Sequence, residues 1–176
     1  MIRLILLSTL IVCSWSCQSQ QPEAIRAIEA QEAILYSDTT GDVDRAAGTK
    51  MIELYLAYAD SNLSDTARTS DYLFKAAEVS MGIEEYWKAI QLFNRLKDAY
   101  PNHYLAREAL FYQGFIFENH VQLLDYARKT YGEYLLKYPE GERAEDIRNM
   151  MAVMDRPMED VVNEWEENQN RDTENE

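Results

Sequence analysis

Two Tyr-Pro pairs, Tyr100-Pro101 and Tyr138-Pro139, stand 38 residues apart, and each closes a stretch with helical apolar spacing. Proline inside a helix removes a hydrogen-bond donor, clashes with the preceding turn and pushes the residue before it out of the helical region. A helix must therefore end at both places. The residues leading up to the two prolines also correspond: Ala89, Phe93, Leu96 and Tyr100 fall opposite Ala127, Tyr131, Tyr134 and Tyr138. Steps of four, three and four keep these side chains on one helical face, so what recurs is a packing surface. Upstream, Ala47, Met51, Leu54, Tyr58 and Ala59 repeat the spacing without the proline, which gives an expected offset of 42 for a third copy.

The helices before these also match. Tyr72 to Ser80 lies over Ala109 to Phe117, which sets Ala77 over Gly114, small residues that let two backbones approach. Ala89 and Ala127 are small on the second helices, with Phe93 and Tyr131 filling space farther along. The pattern predicts an all-α chain of antiparallel helix pairs. Helices are expected over about 23–36, 44–59, 70–80, 84–100, 105–118, 123–138 and 144–154, joined by short connections. In the first of them the apolar stripe Ile25, Ile28, Leu35 lapses at Gln31 and Glu32.

The formal net charge of −14, with no cluster of Lys and Arg, disfavours nucleic acid as a partner. No nucleophile or phosphate-binding glycine motif occurs, and the two histidines, His103 and His120, fall in expected turns. No enzyme activity, metal site or cofactor is therefore expected.

The helix-pair pattern resembles the tetratricopeptide repeat (TPR), a helix–turn–helix unit that stacks on its neighbours. Leu73, Ala77, Ala89, Phe93 and Pro101 fall on that family's signature positions. So do Leu110, Gly114, Phe117, Ala127, Tyr131 and Pro139, the last three shifted by one extra turn residue. Leu73 and Leu110 stand where the family has Trp. The resemblance implies a short TPR-like solenoid, clearest over residues 70–140. It implies an inner groove lined by Asp71, Phe74, Glu78 and Met81, then by Glu108, Phe111, Phe115 and Glu118. Aromatic residues interleaved with carboxylates suit a basic and apolar peptide.

The start of the chain has Arg3, an apolar run from Leu4 to Val12, and the chain's two cysteines, Cys13 and Cys17. It resembles a bacterial lipoprotein signal, with Cys17 as the lipidated residue and Cys13 as the alternative. That resemblance implies a signal peptide over 1–16 and a lipidated Cys and tether over 17–22. Helical repeats over 23–155 follow, then a capping helix over 156–167 and an acidic, disordered tail over 168–176. Met158, Val161, Val162 and Trp165 form the apolar stripe of that capping helix.

The style of the repeats resembles TPR lipoproteins of the Gram-negative envelope, of the BamD and YbgF types. The resemblance implies an outer-membrane, lipid-anchored adaptor facing the periplasm that binds envelope proteins or peptides. A soluble periplasmic homo-oligomer organising a cell-division or wall-linked complex is the alternative.

Overall fold

A computed structural model describes residues 22–36 and 43–154. The expected signal peptide, Cys13, Cys17, the expected capping helix over 156–167 and the acidic tail over 168–176 lie outside the described residues. Seven helices and no strand occupy the described part. In chain order they are α1 (22–35), α2 (Arg45–Ser61), α3 (Thr66–Gly82), α4 (Tyr86–Ala99), α5 (Tyr104–Asn119), α6 (Leu124–Lys137) and α7 (Ala144–Met154). Two of the helix starts are set by aspartates. Asp44 accepts from the Ala47 N–H at 2.8 Å and Asp65 from the Arg68 N–H at 3.3 Å, each supplying a partner that the first turn lacks.

The 38-residue period is written in the backbone. The residues that cap α2, α4 and α6 at their C-termini are Asn62, Tyr100 and Tyr138, with φ, ψ of −128°, 46°, then −133°, 57°, then −134°, 61°. Each carbonyl accepts from the N–H three residues on, at Asp65, His103 and Gly141, at 2.9 to 3.0 Å. The turns before α4 and α6 repeat as well, each with one residue in the left-handed region, Glu84 at φ 64° and Gln122 at φ 56°.

This corrects the offset of 42. The third copy lies 38 residues upstream, so Met51, Tyr55 and Tyr58 correspond to Ala89, Phe93 and Leu96 and to Ala127, Tyr131 and Tyr134. All nine side chains are at most 1 % exposed, whereas Leu54 of the expected alignment is only half-buried. The slip is four residues, about one helical turn, so it preserved the apolar face. No proline follows Asn62 to mark the register.

The chain divides into two compact units, with the boundary inside α5 after Ala109. In the first, Tyr72 of α3 is the aromatic hinge against α2: its ring stacks on Tyr55 at 5.2 Å and meets Tyr58 edge-on at 4.9 Å. Phe74 meets Phe93 of α4 at 5.4 Å, and Ala77 of α3 and Ala89 of α4 are fully buried. In the second unit Gly114 of α5 lies under the Tyr131 ring of α6. A Cβ there would stand 2.2 Å from Tyr131 Cε1, so only glycine allows this approach. Ala127 is fully buried on the same helix, and Phe117 packs on Tyr126 at 5.4 Å. Pro101 and Pro139 are exposed, each just beyond the capping residue.

The hydroxyl at the third buried position of α2 and α6 reaches the start of the next helix. Tyr58 donates to Asp65 at 2.7 Å, and Tyr134 accepts from the Arg143 N–H at 3.2 Å. The middle copy has Leu96 there and no hydroxyl. His103 serves that turn instead: its Nδ1 accepts from the Leu105 N–H at 3.4 Å, while Nε2 lies 3.2 Å from Ser70 Oγ. Accepting at Nδ1 puts the proton on Nε2, which then donates to Ser70.

Candidate functional site

Asp71, Lys75 and Glu78 fall at i, i+4 and i+7 along α3, one row on its surface. Lys75 Nζ lies 3.4 Å from Asp71 and 3.1 Å from Glu32 of α1. Glu32 also accepts from the buried Tyr55 hydroxyl at 2.6 Å, and Lys75 lies 5.8 Å from the centre of the Tyr72 ring. Three helices thus converge on one patch. Gln31 adds a further tie, donating to the Ala47 carbonyl at 3.1 Å.

Three carboxylates, Glu32, Asp71 and Glu78, share this patch with the cation of Lys75, so it carries excess negative charge. Burial raises the Tyr55 hydroxyl pKa well above its usual value, and the bond to Glu32 raises it further. Burial alone would lower Lys75, but Glu32 and Asp71 together raise it, which keeps the amine charged. Glu78 keeps a solvent-facing edge. Even so, its carboxyl is raised above the usual 4.5, first by burial of part of its surface and then by the Asp71 charge, with Lys75 opposing. A carboxylate raised in this way gains most from an arriving cation.

The remaining expected groove residues divide by burial. Phe74 is 9 % exposed with its ring on Phe93, and Met81 is half-buried. Glu108 is half-buried, 3.3 Å from Arg107. In the second unit Phe111 is 8 % exposed, and the Arg143 guanidinium lies 4.8 Å from its ring centre. Phe115 is half-exposed and meets His120 edge-on at 5.6 Å. Glu118 accepts from the Tyr131 hydroxyl at 2.8 Å, and burial together with that bond raises the Tyr131 pKa. Within the first unit the structure brings Asp71 and Glu78 together with Glu32, Tyr55 and Lys75, which were not expected there. The lapse of the apolar stripe at Gln31 and Glu32 was their signal: both reach α2.

Among the described residues no group of three His, Cys, Asp or Glu side chains could hold a metal ion. No described helix is long and apolar enough to cross a membrane. No family model matches the chain, and neither does any curated protein or solved structure.

Proposed function

We propose that the chain is an adaptor of TPR type, a short solenoid of 38-residue helix pairs, whose α1–α3 face captures a basic segment of an envelope protein. The observation that carries this reading is the patch of Glu32, Asp71 and Glu78 around Lys75, with the Glu78 carboxyl raised and open to solvent. A Lys or Arg side chain arriving there would gain a charge-assisted hydrogen bond and relieve the repulsion between Asp71 and Glu78. Tyr72 and Tyr55 beneath the patch hold it rigid, so little ordering cost is added on binding. Met81, half-buried one turn further along α3, offers an apolar contact to a neighbouring residue of a partner.

In the same reading lipid at Cys17 places the adaptor at the outer membrane, facing the periplasm. Two or more acyl chains are needed for stable anchoring, which a lipoprotein anchor provides. The test of the anchor is fractionation with fatty-acid labelling. Cys17→Ala should lose the label and leave the membrane fraction, and a variant still held in the membrane without label would overturn it. The test of the site is binding of Lys-containing peptides to the full chain. Affinity should drop about tenfold in Glu78→Gln and about as much in Asp71→Asn. Equal binding by native chain and both variants would refute the site.

A further inference from the structure

The start of α1 and the first turn of α3 meet at one end of the first unit, around an open recess of about 390 Å³ lined by Pro22, Ile25, Arg26, Glu29 and Arg68. α2 ends and α3 begins here, where Thr69 donates to the Asn62 carbonyl at 3.0 Å. The turn into α5 joins this end through the contact of His103 with Ser70. Two large side chains with apolar bodies project from it: Leu63 is 68 % exposed and Tyr104 64 %. Arg26 is exposed, and Arg68 keeps 55 % of its side chain exposed while it pairs with Asp65 at 3.0 Å. Leucine, tyrosine and arginine together suit the boundary between water and lipid, because the last two set an apolar body against hydrocarbon and a polar tip in the headgroups. Of the acids at this end, Asp60 is tied to Arg95 and Asp65 to Tyr58 and Arg68, while Glu23 and Glu29 are exposed. Mixed charge of this kind fits a zwitterionic headgroup, with phosphate on guanidinium and ammonium on carboxylate.

In the reading given above, lipid is carried at Cys17, five residues before Pro22. Five residues of chain span at most about 18 Å. Arg68, on the recess, stands 14 residues before Gly82 at the far end of α3, about 21 Å along the axis. The α3–α4 turn with Glu84 lies beyond that. The link to the lipid is therefore too short for the unit to stand on its α3–α4 end.

We propose that the recess end of the first unit rests on the phospholipid surface. Leu63 and Tyr104 then lie at the level of the headgroups, with a lipid phosphate between Arg26 and Arg68 and its ammonium toward Glu29. The inference rests on the lipid anchor of the proposed function and adds the orientation of the anchored unit. α3 rises from the bilayer, which sets Asp71 about 8 Å and Glu78 about 18 Å along the helix from Thr66. The acidic row is thereby carried clear of the headgroups and kept open to a segment arriving from the aqueous side. No residue of the recess belongs to that row.

Spin labels at positions 64 and 88 of the full, lipid-carrying chain test this, in vesicles of phosphatidylethanolamine with phosphatidylglycerol. Collisions with lipid-soluble oxygen and with a water-soluble nickel chelate give the depth of each label. Label 64 should favour oxygen and label 88 nickel. Arg26→Gln and Arg68→Gln should each lower the ratio of resting to free units about fivefold. Leu63→Asp should bring label 64 into water, and all three variants should still float with the vesicles. The three side chains are exposed, so the fold does not depend on burying them. A chain that floats with label 64 as open to nickel as label 88 would overturn the orientation and leave the anchor standing, as would a depth that none of the variants changes. A chain that does not float would remove the anchor and the orientation with it.

Discussion

Gly114→Ala isolates the closest helix contact of the second unit. The added methyl would stand 2.2 Å from Tyr131 Cε1 and 2.4 Å from Cδ1, where ordinary carbon contacts are about 3.5–4.0 Å. Tyr131 is fully buried, and its hydroxyl donates to Glu118 at 2.8 Å, so the ring is held at both ends. Moving it imposes an overpacking cost of about 1–3 kcal/mol. Losing the hydrogen bond to a carboxylate adds about 1.5–3 kcal/mol. Alanine returns about 1 kcal/mol in helix propensity, which leaves a net loss of about 1.5–5 kcal/mol. Thermal unfolding followed by circular dichroism should show a fall of roughly 3–20 °C. Hydrogen exchange should place the loss in residues 110–137. In a Tyr131→Leu background the ring is gone, and Gly114→Ala should be neutral or stabilising by up to about 1 kcal/mol. An equal effect of Gly114→Ala in both backgrounds, or a native-background cost below about 0.5 kcal/mol, would refute the contact as the reason for this glycine.

Gln122→Gly should stabilise the chain by up to about 1 kcal/mol in urea unfolding, because φ 56° is strained for a residue with a Cβ; a loss would show that the Gln122 side chain matters more than its backbone. The Asp65 pKa is held below the usual 3.8, first by the Tyr58 hydroxyl and then by Arg68. Stability from this pair is therefore fully present above about pH 4 and lost as pH falls through the depressed value, and Tyr58→Phe should flatten that part of an acid-unfolding profile. An unchanged profile in Tyr58→Phe would remove the tyrosine from the argument. For Glu78 the sign is opposite: its raised pKa makes the ionised form costly above that value, so Glu78→Gln should slightly stabilise the chain at neutral pH. Binding of a Lys-containing peptide should weaken as pH falls through the range just above 4.5, and a flat binding profile there would exclude Glu78 as the acceptor.

Much of the helix order was legible because apolar residues at steps of three and four say where a helix packs. α7 runs from Ala144 to Met154, as the spacing indicates. The prolines gave the ends of α4 and α6, and Tyr58 alone could not give the end of α2. A slip of one turn leaves an apolar face almost unchanged, so only the capping residue Asn62, with no proline after it, could have set that register. The charged patch was half legible. Asp71 and Glu78 stand on one helix, but Glu32 lies 43 residues from Lys75, and a pairing at that distance leaves no local pattern. Its trace was indirect: polar side chains interrupting a stripe where apolar ones would otherwise pack. Phe74 shows the limit of reading a face from spacing, since a residue at the margin of a helix row can turn its ring into the pair, as this one does onto Phe93.

The most direct test of the adaptor reading is photocrosslinking in the intact envelope from a reactive side chain at position 78, with position 98 on α4 as control, followed by sequencing of the attached peptide. The account predicts one recurring segment with Lys or Arg at or next to the crosslinked residue, absent from the control and lost in Asp71→Asn. Attachment to segments with no basic residue, or the same products from both positions, would contradict it.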